Sequence, residues 1–167
     1  MTPEQKALIL DRASGETDDA AFCSAYGIAA ADFPEQVARL IEDAAVSRDD
    51  EALELALRLG AHFGLPKSTI PAMHRLLVEL WHKSHGEMVR LLQHWRDPAS
   101  VAPLQEVIHL KPRLGYLDYD DYGAFYKKCL WALAAIGTPE AVCAIERCAA
   151  SDDSVLREQA VYRLNRQ

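Results

Sequence analysis

WRDPASVAPLQEVIH at residues 95–109 and IGTPEAVCAIERCAA at residues 136–150 decide the fold, because they align at an offset of 41 with Pro98 over Pro139. In each, a helix ends, a polar residue precedes Pro, and a new helix begins. The apolar positions of that new helix run three and four apart: Val101, Leu104 and Ile108 against Val142, Ile145 and Ala149. Apolar residues at that spacing form one face of a helix. Recurrence of the whole unit predicts a repeating helical hairpin.

The repeat extends in both directions. Ile70, Met73 and Leu77 lie 31 positions before Val101, Leu104 and Ile108. The final helix, SVLREQAVYRLNR, registers on the helix expected from Gly123 to Ile136 at an offset of 31, with Cys129 over Ala160 and Leu133 over Leu164. Units of 31 on either side of one of 41 leave about ten inserted residues. They fall in KPRLGYLDYDDY, residues 111–122. Insertions in repeat proteins map to one face, often the binding face.

Before the repeats, capping residues mark three further helices. Thr2-Pro3-Glu4-Gln5 has Thr at the cap, Pro at the first helical position and Gln three residues on, a capping box. DAAFCSAYGI is a short second helix closed by Gly27, and Asp32 is expected to cap a third with Val37, Leu40, Ile41 and Ala44 as its buried stripe. STIPAMHRLLVELWHK, residues 68–83, reads as one helix, and Ser84-His85-Gly86-Glu87 as a capping box opening the next. The resulting expectation is an all-α single domain over residues 1–167. It has a divergent helical cap at 1–47 and about three and a half repeats at 48–167, stacked as a short α-solenoid of antiparallel hairpins.

Composition agrees with a globular chain: half the residues are hydrophobic and 26% charged. A chain of this length buries about 70% of its unfolded surface and needs no disulfide or metal to hold a core. Cys23, Cys129, Cys143 and Cys148 show no CxxC spacing, and the last three are read as small apolar residues on helix faces. No apolar run is long enough to span a membrane, and MTPEQKALILDR lacks a secretory layout, so the cytoplasm is the expected compartment.

Net charge is −7, unevenly spread. Residues 1–60 carry 13 acids against 5 bases, whereas residues 61–115 carry 4 against 7 and hold all six histidines. An acidic chain repels phosphate backbones, which disfavours nucleic acid and favours a basic protein partner.

The insertion is the first candidate site. Tyr116, Tyr119 and Tyr122 alternate with Asp118, Asp120 and Asp121. Tyrosine offers contact area at low entropic cost, and carboxylates pair with Lys or Arg on a partner. A second reading has the tyrosines packing back on neighbouring helices while an aspartate caps the helix near Gly123. A calcium loop is a third, but the D-x-D-x-D-G series and its terminal Glu are missing. His74, His82 and His85 suggest a metal cluster, yet a helix start at Ser84 would break their shared face and no HExxH motif is present; they are read as half-exposed histidines. No GxSxG, Walker or GxGxxG motif occurs, so no catalytic residue, cofactor or metal is assigned. Trp81, Trp95 and Trp131 are read as core anchors.

Asp97-Pro98-Ala99-Ser100-Val101 and Thr138-Pro139-Glu140-Ala141-Val142, with WALAAIG at residues 131–137, resemble bacterial HEAT-like repeats of the short kind found in phycobilisome-lyase-type proteins. The resemblance covers residues 85–167 best, 49–84 less well, and does not reach further forward. It implies an α-solenoid that acts by binding. Small size, acidity and the inserted loop are similar to HEAT-like immunity proteins, which neutralise a bacterial toxin by covering it. The resemblance thus implies a non-catalytic protein-binding module whose partner is a basic toxin domain. An adaptor or scaffold that binds a peptide or helix on its concave face is an alternative. HEAT-like enzymes such as DNA glycosylases or bilin lyases are a further one.

Overall fold

The computed structural model describes residues 1–117, 119 and 123–166, and these form ten α-helices with short 3₁₀ turns and no strand. The chain divides into two compact units, residues 1–72 and 73–167.

The first unit contains α1 (Pro3–Ser14), α2 (Asp19–Tyr26), α3 (Phe33–Ser47) and α4 (Asp50–Phe63). The capping box at Thr2 forms as expected: Thr2 Oγ1 accepts from the Gln5 N–H at 3.2 Å, and the Gln5 amide oxygen accepts from the Thr2 N–H at 2.9 Å. Asp18 caps α2 through the Ala21 N–H, and Asp49 caps α4 through that of Ala52. Asp32 does not cap α3. The chain enters that helix through a 3₁₀ turn at Ala30–Asp32, which puts Asp32 in helical backbone and leaves its side chain without a capping bond. The Val37, Leu40, Ile41 and Ala44 stripe is buried as read. α3 folds back on α4 through Arg48, whose φ of 51° supplies the left-handed turn. Phe33 lies stacked on Phe63 at 4.3 Å and tilted against Phe22 at 5.4 Å. Fully burying a ring, as for Phe22 and Phe33, contributes about 2–3 kcal/mol.

α5 (Ile70–Leu76) is much shorter than the expected helix over 68–83. His82 ends it: Nε2–H donates to the Leu76 carbonyl at 2.8 Å, satisfying one of the carbonyls a helix terminus leaves open. The following segment, residues 77–84, is irregular.

The second unit contains α6 (His85–Trp95), α7 (Val101–Leu110), α8 (Ala124–Ile136), α9 (Pro139–Ala149) and α10 (Ser154–Leu164). α8 packs against α6, α7, α9 and α10, and α7 packs on α9. α6 ends at Arg96, with φ 54°, and α8 at Gly137, with φ 71°, so the two aligned stretches leave their first helices through left-handed residues 41 positions apart. Val101, Leu104 and Ile108 are buried as expected. On α9 the buried set is Ala141, Ala144, Ile145 and Cys148, while Val142 and Ala149 are half-buried. α9 meets α7, α8 and α10, and its small side chains line those contacts.

Two readings of single residue types are corrected. Cys143 is exposed, while Cys129 and Cys148 are buried; all four thiols are free. Trp131 is 41% exposed and no core anchor, and Trp81 and Trp95 are half-buried. The Trp131 indole stays at the surface because Lys127 and Arg163 lie against its ring. No helix among the described residues is long and apolar enough to cross a membrane.

Candidate binding site

The insertion leaves α7 through a 3₁₀ turn at Lys111–Arg113 and continues through another at Gly115–Leu117, with Leu114 buried between them. Of the six residues expected to bind a partner, Tyr116 and Tyr119 are described; Asp118, Asp120, Asp121 and Tyr122 lie outside the described residues. The two tyrosines part company. Tyr116 is half-buried, its hydroxyl 2.8 Å from Nδ1 of His85. Tyr119 is 79% exposed.

His85 and His82 build the floor under Tyr116. His82 is 1% exposed and His85 wholly buried, against the half-exposed histidines expected. Their rings stack at 4.3 Å, Tyr116 lies over His85 at 5.8 Å, and Trp81 meets His82 edge-on at 4.9 Å. Both nitrogens of each imidazole have a partner. His82 Nδ1 accepts from the Ser84 N–H at 3.2 Å, so its proton sits on Nε2, facing the Leu76 carbonyl. His85 Nε2–H donates to the Glu79 carbonyl at 2.8 Å, which directs Nδ1 to accept from the Tyr116 hydroxyl. The Ser84 capping box does not form: Ser84 has no side-chain capping bond to α6, and its own N–H is given to His82.

Sequence reasoning identified the His82 and His85 pair but assigned it to separate helix surfaces. Their spacing of three on an irregular segment, with a tyrosine 31 positions after His85, is the signal that would have joined them. His74 stands apart from the pair, with Nε2 2.8 Å from the buried Ser100 hydroxyl. Burial pushes its imidazole below the ordinary 6.5, opposed by the charge of Asp97. No group of three His, Cys, Asp or Glu among the described residues is placed to hold a metal ion.

Beyond the insertion the chain re-enters α8 at Gly123, which occupies the cap position with φ 68°. A Cβ there would lie 2.6 Å from Val155 Cγ1, so both backbone and neighbour require glycine. The Lys111 ammonium lies 4.8 Å from the centre of the Tyr126 ring, and the Tyr126 hydroxyl donates to Asp153 at 2.8 Å. Asp153 also caps α10 through the N–H groups of Val155 and Leu156. Burial raises the Asp153 carboxyl, but the Tyr126 hydroxyl and the two helix N–H groups outweigh it and hold the group below its ordinary value. The insertion is therefore held at its start by Lys111 and Tyr116 and at its return by Gly123.

The chain matches no family model, no curated protein and no solved structure.

Proposed function

We propose that this chain is a HEAT-like protein-binding module that neutralises a basic toxin domain by covering it, with the 111–122 insertion at the centre of the contact. The observation that carries the reading is the division of labour between two tyrosines: Tyr116 is bonded to buried His85, while Tyr119, three positions on, is 79% exposed. An exposed aromatic on a loop rooted in the core loses little entropy on binding, which is what an interface anchor requires. The aspartates beside it in sequence favour Lys and Arg on the partner. The 13 acids of residues 1–60 add a long-range field of the same sign.

Support for stacked repeats comes from contacts at the sequence offset. Arg147 donates to the Gln105 side chain at 2.9 Å across 42 positions, one more than the offset of the two hairpins. α8 packs on both α6 and α10, and α7 on α9, the order in which successive units of a solenoid stack.

The test is co-expression with the product of the neighbouring reading frame. The native chain is expected to restore growth and to co-purify with that product. Tyr119→Ala is expected to weaken binding by at least about tenfold, the loss typical of an interface anchor, with an unchanged thermal midpoint. Failure of the native chain to bind or to rescue would sink the toxin reading.

A further inference from the structure

A second surface lies on α8 and α10 and has the opposite character. Trp131 and Tyr162 are each 41% exposed. Lys127 Nζ lies 5.8 Å and the Arg163 guanidinium carbon 5.2 Å from the centre of the Trp131 ring, and the Arg166 guanidinium carbon lies 4.5 Å from that of Tyr162. Tyr162 and Arg163 are consecutive residues of α10 and Arg166 follows two positions past its end at Leu164, so the two cation–ring groups adjoin along the chain, and we refer to them together as a strip.

Lys6, Arg12, Arg58 and Arg90 each pair with a carboxylate, whereas Lys127, Arg163 and Arg166 form no ion pair among the described residues. The Arg163 Nε atom is buried and has no hydrogen-bond acceptor among the described residues. In a chain with 25 acids against 18 bases, three neighbouring cations without a carboxylate are unexpected. α8 contains no acid at all, and the one acid of α10, Glu158, sits about 140° around the helix from Arg163.

We propose that the Lys127, Trp131, Tyr162, Arg163 and Arg166 strip binds an acidic segment of a protein partner, carboxylates meeting the three cations and an apolar side chain covering the indole. Charge complementarity selects this occupant. Aromatic rings flanked by cations also serve single-stranded nucleic acid, but that use requires a positive groove tracking the backbone. Three cations on a chain of net charge −7 do not make one. The proposal uses no residue of the insertion and does not depend on the toxin reading.

The probe is a short fluorescein-labelled peptide of repeated Glu-Glu-Leu-Glu units, titrated with the full chain and followed by anisotropy. Saturable binding that weakens with added salt is expected. Trp131→Ala and the double variant Lys127→Gln with Arg163→Gln should each weaken it by at least about tenfold. Trp131→Phe should keep part of the affinity, and Tyr119→Ala all of it. Circular dichroism and thermal midpoints establish that the variants fold; if Trp131→Ala does not, the double variant decides. No binding, equal binding of a Lys-for-Glu peptide, tighter binding of oligothymidine, or indifference to the strip variants each overturns the proposal. So does concentration-dependent self-association in sedimentation velocity that the strip variants abolish, which would assign the surface to a second copy of the chain.

Discussion

The Tyr116 hydroxyl and His85 Nδ1 form a partly buried hydrogen bond of 2.8 Å, so Tyr116→Phe removes a donor while keeping the ring in place. The expected loss is about 1 kcal/mol in urea unfolding, the net worth of a neutral hydrogen bond. His74 gives a second residue-level test, through pH. Its folded value lies below the unfolded 6.5 because burial penalises the imidazolium. The unfolded chain therefore binds the extra proton first as pH falls. The stability contributed by neutral His74 is fully present above 6.5 and is lost as pH falls from there through the folded value. Stability measured between pH 8 and pH 5 should decline on the acid side, and His74→Gln, which retains a partner for Ser100, should flatten that part of the curve.

Among the elements, the entry into α8 is constrained both by a close neighbour and by a left-handed backbone. Gly123→Ala forces a Cβ to 2.6 Å from Val155 and into a left-handed backbone at φ 68°. A loss of about 2–3 kcal/mol is expected in thermal or urea unfolding, since overpacking and backbone strain act together. The comparison of sequence with structure turns on the same distinction between local and distant causes. The cap at Thr2 was legible because a capping side chain bonds to backbone three residues away; Asp18, Asp49 and Thr138 make the same bond without having been read as caps, and Asp32 and Ser84, which were, make none. The end of α5 was not legible, because it is made by His82 reaching back to Leu76 while Ser84 surrenders its N–H to that same ring. Trp131 misled for a related reason: its helical position is apolar, and only the tertiary approach of Arg163 explains why it remains at the surface. Of the candidate site, the insertion could be located by counting offsets. The inward turn of Tyr116 stood as the second reading of the loop, but its partner could not be read, because His85 comes from the start of α6 rather than from the loop.

For the whole molecule, the charge distribution sets the kinetics of any encounter. With 13 acids against 5 bases in residues 1–60, association with a basic partner should be steered at long range. The association rate measured by stopped flow should fall about tenfold or more between low and physiological salt, while dissociation changes little. The three thiols of the second unit, Cys129, Cys143 and Cys148, add a readout of motion there. Cys143 is exposed on α9, whereas burial pushes the thiol of Cys129 on α8 far up and that of Cys148 up as well. Thiolate is the reactive form, so a disulfide reagent should label Cys143 promptly and Cys129 only through an opening of its surroundings. The lag between the two labelling events, followed by mass spectrometry of the native protein, is a built-in clock. It times how often the packing around α8 comes apart, without any substitution in the chain.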